Sequence, residues 1–279
     1  MPSKAALAFV LFLVFTVLSA FVIQSYWSPG KRQVVPASAA PTIRKDDEPA
    51  LGPSSGTFVS PSASPQNGAY DTVDLAKLPK KAQIDVPIVS QLPELFNGCE
   101  ITSLTMIMLY AGLKTDKMEM TTLLDTDPAK LVWDGAGNIV SWGNPHKGFV
   151  GDITGKAKGF GVYHEPIAAV IDKIAPGQSL DLTGKPFEVV LDQVAAGKPV
   201  LLWTNGSFGP LPSSSWVSWK TKEGPVKVTW REHAVVLTGY DETSLYVNDP
   251  LDGTKNKKID RKLFIQSWEQ MGKQSVTYR

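Results

Sequence analysis

The stretch Gln91-Leu-Pro-Glu-Leu-Phe-Asn-Gly-Cys99-Glu-Ile-Thr-Ser-Leu-Thr-Met-Ile-Met-Leu-Tyr-Ala-Gly112 decides how the chain is read. It holds the only cysteine, Cys99. Asn97-Gly98 is a turn signal, and an apolar run follows through Ile101, Leu104, Met106, Ile107, Met108 and Leu109. That run is too long for a typical strand, and Gly112 stands where a helix would be closed. The spacing predicts a buried helix with Cys99 in its first turn. Free backbone N–H groups and the helix dipole there favour negative charge, which eases ionisation of a thiol. The plain alternative is that Cys99 is a small buried hydrophobe.

The rest of the chain divides around this helix. Upstream, Ile84 to Val89 reads as a strand with Pro87 at an edge or end. Downstream, Asp116 to Leu124 reads as a short helix capped by Asp116. Residues Asp125 to Gly161 read as a long loop rich in Gly, Asn, Asp and Trp, including Trp142 and Asp152. Helices are predicted over Pro166 to Ile174 and Pro186 to Ala196, then a buried strand over Pro199 to Thr204. A second long loop, Gly206 to Pro225, carries Trp216 and Trp219. Strands follow over Val226 to Arg231, His233 to Tyr240 and Ser244 to Asp249. An amphipathic helix over Asp260 to Gly272 and a last strand over Gln274 to Tyr278 complete the pattern. The expected fold class is α+β, a helical front half packed on an antiparallel sheet.

Composition narrows the function. The 28 basic and 27 acidic residues leave a net charge of +1, so no basic field argues for nucleic acid. One cysteine rules out an intrachain disulfide and a multi-cysteine zinc site. The three histidines are scattered in sequence with no ligand spacing on one helix, so no metal is expected.

The N-terminus reads as a membrane segment. An unbroken apolar run from Ala5 to Ile23 is long enough to span a bilayer core, and Tyr26 and Trp27 follow where interfacial aromatics belong. No good cleavage site lies close to it, so an uncleaved anchor over 1–27 is favoured over a signal peptide, which would make the protein secreted. Residues 28–79, rich in Pro, Ser and Ala, read as a linker. A domain over 80–279 follows, expected outside the cytoplasm on a single-pass anchor.

A cysteine nucleophile needs a base and a group to orient that base. His233 opens a predicted strand, and Asp249 ends the next one. With Tyr240 to Glu242 as a three-residue hairpin loop, residues 233 and 249 stand directly opposite on one face. Asp249 could then accept the imidazole N–H, whereas a slip of one residue would present Asn248. An oxyanion needs donors. The Cys99 backbone N–H is one, and the Gln91 side-chain amide is a second candidate. These features predict a preformed Cys99 thiolate paired with protonated His233.

The blocks Val86-Pro-Ile-Val-Ser-Gln91, Asn97-Gly-Cys-Glu-Ile-Thr-Ser-Leu104, Gly148-Phe-Val-Gly-Asp-Ile-Thr-Gly155, Glu232-His-Ala-Val-Val-Leu-Thr-Gly-Tyr-Asp241 and Val247-Asn-Asp-Pro250 resemble a bacterial peptidase family. Its members are similar to bacteriocin-processing (double-glycine) cysteine peptidases of the papain-like clan. The resemblance covers about residues 80–279. It implies a papain-like fold and cofactor-free peptide-bond hydrolysis. It also implies Cys99 as nucleophile, His233 as base, Asp249 as orienter and Gln91 as oxyanion donor. No transporter segment or ATP-binding motif accompanies the domain, so bacteriocin export is not implied.

The leading expectation is therefore a membrane-anchored cysteine peptidase acting on a peptide or protein substrate outside the cell. The alternative is an inactive papain-like module that binds a peptide or cell-wall polymer. The same triad would also serve an amidase or transglutaminase, because a triad does not fix the acyl acceptor. Trp142, Asp152 and Trp216, on the two long loops, are the expected substrate-binding residues.

Overall fold

The structure, a computed structural model, describes residue 74 and residues 76–279. The expected anchor over 1–27 and most of the expected linker lie outside the described residues. Among the described residues no helix is long and apolar enough to cross a membrane.

In chain order the elements are β1 (Ala82–Gln83), α1 (Cys99–Tyr110), α2 (Lys117–Thr121), β2 (Thr126–Asp127), β3 (Val132–Trp133), β4 (Ile139–Ser141) and β5 (Phe149–Val150). Then come α3 (His164–Ile174), β6 (Ser179–Asp181), α4 (Phe187–Ala195), β7 (Val200–Asn205), β8 (Trp216–Thr221) and β9 (Gly224–Thr229). The chain ends with β10 (Glu232–Tyr240), β11 (Ser244–Asp249), β12 (Thr254–Asp260), α5 (Arg261–Gln270) and β13 (Ser275–Tyr278). The main sheet runs β12-β11-β10-β7-β13-β6, with β1 also on β10, and every pairing in it is antiparallel.

Alternation of side chains across β7 and β10 explains why both strands are apolar at successive positions. Leu201, Trp203, Ala234 and Val236 pack with Ile101, Leu104 and Val170 of α1 and α3. Val200, Leu202, Val235 and Leu237 pack with Val190 and Val194 of α4 and with Phe264 and Trp268 of α5. Helices thus cover both faces of the central strands, an α+β architecture with α1 buried from Cys99 to Met108. The Asp116 cap forms as expected, its carboxylate accepting from the Met118 and Glu119 N–H groups.

Several expectations are corrected. Ile84 to Val89 is not a strand. Only Ala82–Gln83 pairs, and the chain beyond runs extended, with Ile84 N–H donating to the Thr238 carbonyl. Pro87 has no N–H with which to continue a ladder. The two long loops are not plain loops either: β3 and β4 from the first and β8 from the second join β9, the strand expected from Val226, in a second, four-stranded sheet. Its strands are short or half-exposed, so their alternation is weak in sequence. Strand β12 was not expected at all. It is dominated by Lys and Asn and mostly exposed, and it holds its place through the ladder with β11.

Trp142 is core rather than groove wall. It is buried, with its ring centroid 5.6 Å from Trp219 and 6.4 Å from Trp230. Trp142→Ala should therefore cost about 3–5 kcal/mol, as truncation of a buried tryptophan typically does. Denaturant unfolding of that variant beside Val140→Ala, an exposed neighbour on β4, checks it. A loss for Trp142→Ala no larger than for Val140→Ala would place the indole outside the core.

Candidate active site

Cys99 is the first residue of α1, behind Gly98, and its backbone N–H is directed out of the helix start. α1 packs on β10, and the Ser103 hydroxyl donates to the Ala234 carbonyl at 3.2 Å. That contact sets Cys99 beside the first residues of β10. Cys99, His233, Gln91, Glu232, Trp230 and Phe96 all line one cavity of about 220 Å³.

His233 and Asp249 are both buried, and His233 Nε2 lies 2.8 Å from Asp249 Oδ1. The contact arises from a different register than expected. The hairpin turns more tightly, with Asp241 N–H donating to the Ser244 carbonyl, and Tyr240 pairs with Leu245. A bulge between Leu237 and Gly239 shifts the ladder once more, so that Val236 faces Asn248. Continued by one residue, this register puts Asp249 opposite Val235. His233 is therefore its diagonal neighbour on the same face, still within reach of an imidazole. The partner is as expected, and the direct opposition is not.

Asp249 is held by more than the histidine. Lys257 Nζ donates to Oδ2 at 2.7 Å, and Leu251 N–H donates to Oδ1 at 3.0 Å. Burial works against the charge, but these donors and His233 keep the carboxyl far below the usual carboxylate range. An ionised Asp249 fixes the His233 tautomer with its proton on Nε2 and leaves Nδ1 as the free nitrogen.

The thiol departs from expectation. Cys99 Sγ lies 3.3 Å from Glu100 Oε2 and 4.0 Å from Glu232 Oε2, and it donates to these carboxylates rather than to His233. Burial and the two acidic neighbours raise its pKa well above that of a free thiol, partly offset by the Ala234 N–H. The preformed thiolate expected from the helix start is therefore absent. The dipole of a helix is worth about 1 kcal/mol or less at an exposed site, too little to outweigh desolvation.

Glu100 and Glu232 are the residues missed in the sequence. Glu100 is fully buried, and its Oε1 accepts the Val162 N–H at 2.7 Å. Burial raises its pKa to about 7, although its own and the Val162 backbone N–H groups work against the rise. Glu232 is pushed up by burial and by the charge of Glu100, and its Oε1 has no partner. Gly161 closes over both carboxylates, and a Cβ there would collide with Glu100 Oε1. A signal was available: one glutamate directly follows the cysteine inside an apolar run, and the other directly precedes the histidine.

Gln91 is buried, and its Nε2 donates to the Phe96 carbonyl at 2.8 Å. One of its two amide N–H groups is thereby used, and Oε1 is unpartnered. The other expected site residues do not reach the Cys99 cavity. Trp142 is in the core. Trp216 lines a separate cavity with His146 and Tyr163. Asp152 spends its carboxylate on Thr154 and on the Ala157 N–H. Phe96, Phe160 and Trp230 are the aromatics at the Cys99 cavity.

The model of the Peptidase_C39 like family matches residues 83–276, which include every residue of this constellation. The chain belongs to that family. It is 40% identical over 195 residues to the uncharacterized protein YvpB of Bacillus subtilis (strain 168), covering 69% of this chain and 74% of that one. A Bacillus anthracis protein proposed to be a C39-like peptidase superposes with a TM-score of 0.64 at 41% identity, over 72% of this chain and 98% of that one. Xylellain, a cysteine protease from Xylella fastidiosa, covers 78% of this chain and 90% of its own. Its TM-score of 0.38 and 11% identity are too distant to bear on the chemistry. The C39-like assignment and the helix-on-sheet architecture together make this a papain-like α+β fold of a peptidase family.

Proposed function

We propose that this C39-like chain is a cysteine peptidase in which Cys99 is the nucleophile, His233 the base and Asp249 the orienting carboxylate. The observation that carries the reading is the buried His233–Asp249 pair, 2.8 Å apart, in the same cavity as the cysteine at the start of α1. In the resting state the thiol keeps its proton and rests on Glu100. Substrate entry turns Sγ toward His233 Nδ1, which takes the proton as sulfur bonds to the peptide carbonyl carbon. The oxygen that gains charge is met by the Cys99 N–H and by the second N–H of Gln91. The C–N bond breaks, the leaving amine takes the proton from the imidazolium, and water then hydrolyses the thioester. The N-terminal segment would hold the domain at the outer surface of a membrane, with a peptide or protein as substrate.

One feature favours the alternative of an inactive binding module: the thiol donates to Glu100, and burial beside two acidic side chains raises its pKa. Incubating the full-length chain with a peptide library, before and after iodoacetamide treatment, separates the two. Cleavage that alkylation abolishes supports the peptidase. Library peptides retained but never cut would select the binding module.

A further inference from the structure

Outside the Cys99 cavity the other two histidines converge. His146 lies on the turn between β4 and β5, and His164 opens α3. A hydrogen bond from Tyr163 N–H to the Pro145 carbonyl, 2.9 Å long, joins the two segments one residue before each histidine. Glu165 sits between the rings. His146 Nδ1 is 2.9 Å from both of its oxygens, and His164 Nε2 is 3.2 Å from Oε2. The three ligand atoms all fall within 4.8 Å of one another. The far nitrogen of His164, Nδ1, lies 2.6 Å from Asp181 Oδ2.

Proton counting makes this arrangement informative. A carboxylate offers only lone pairs, so each imidazole nitrogen facing one must carry a proton or share a cation with it. His164 has a carboxylate at each nitrogen, while a neutral imidazole has one proton. With that proton given to Asp181, Nε2 meets Glu165 lone pair to lone pair unless something positive lies between them. An imidazolium would satisfy both contacts, and so would a metal ion. The metal also fits the spacing: bonds of about 2.0–2.1 Å in a tetrahedron separate ligand atoms by about 3.3 Å. Asp181 then occupies the outer position that orients metal-bound histidines and fixes their tautomer.

We propose that His146, His164 and Glu165 bind a divalent transition ion of the zinc class, with Asp181 as the positioning residue. The three side chains leave one coordination position open, beside the cavity of about 430 Å³ that His146 lines with Tyr163, Trp216 and Gln274. That cavity and the Cys99 cavity have no lining residue in common. The ion would clasp the β4–β5 turn to the start of α3. The sequence argued against any metal because these histidines are 18 positions apart; the fold brings them together.

The test uses the full-length chain, stripped with EDTA and dialysed. It is titrated with Zn²⁺ by calorimetry and with Co²⁺ by visible absorption. One ion per chain is expected, with a Co²⁺ spectrum free of thiolate charge transfer. His146→Gln and His164→Gln should each weaken binding by more than about tenfold, and Asp181→Asn by about 10–100-fold. Cys99→Ser should bind as the wild type does, because Cys99, Glu100 and Glu232 form the other possible ligand cluster. No uptake of either ion, a thiolate band in the wild-type Co²⁺ spectrum, or loss of binding in Cys99→Ser would each overturn the proposal. Binding that survives both histidine replacements would also overturn it. The wild-type titration and spectrum decide even if a variant fails to fold.

Discussion

His233→Ala is expected to lower kcat/KM for peptide hydrolysis by about 10³-fold or more, within the range for removal of a general base. The Cys99 thiol is protonated at rest, so attack has to begin with proton transfer. Three groups around that step can accept the proton: His233 across the cavity, Glu100, which already takes the Sγ–H contact at 3.3 Å, and Glu232 at 4.0 Å. The imidazole becomes a cation on taking the proton, and the ionised Asp249, 2.8 Å away, stabilises that cation. The expected order of damage is therefore Cys99→Ala, then His233→Ala, with Glu100→Gln retaining measurable turnover. The fold should survive in His233→Ala, because Asp249 keeps its bonds to Lys257 and to the Leu251 N–H. The lost histidine hydrogen bond should cost about 1–3 kcal/mol. Parallel kinetics and urea unfolding of the three variants check this. A His233→Ala enzyme as active as the wild type, beside an inactive Glu100→Gln, would transfer the base role to the glutamate.

How much of this was legible in the sequence depends on how local the signal was. The helix after Gly98 could be read because its apolar run is long and bounded by Asn97-Gly98 and Gly112. The His233–Asp249 pairing could be read because a hairpin restricts which residues meet, and even a shift in register left the two on one face. Three features could not be read this way. The second sheet is assembled from two local hairpins with strands of two to six residues, and the parallel pairing that joins them, Ser141 with Lys220, links positions far apart in sequence. The convergence of His146 and His164 depends on how the β4–β5 turn folds back on α3. The state of the thiol depends on burial, which no single stretch reports: the same helix start that would favour a thiolate in water is buried in the core cluster with Phe160 and flanked by two glutamates.

Those glutamates lead to the second large effect. Glu232→Gln should make the protein more stable relative to wild type as pH rises, and should make Cys99 react faster with iodoacetamide. In the unfolded chain both glutamates titrate near about 4.3. In the fold both are raised, Glu100 to about 7, so the folded state holds protons that the unfolded state has released. The stability contributed by the protonated pair is complete below about pH 4 and is lost as pH rises through about 7. For Glu100 alone the loss is on the order of 3 kcal/mol. Glutamine at 232 removes one charge, lowers the cost of ionising Glu100, and flattens the profile between pH 5 and pH 8. The thiol loses one of the two negative neighbours that hold its proton, and each pKa unit it falls should raise labelling at neutral pH by up to about tenfold. Urea unfolding and labelling rates of the full-length wild type and Glu232→Gln at pH 5, 6, 7 and 8 provide the comparison. A stability difference that does not change with pH, together with unchanged labelling, would mean that the two carboxyls do not hold a proton between them and that something else keeps Cys99 neutral.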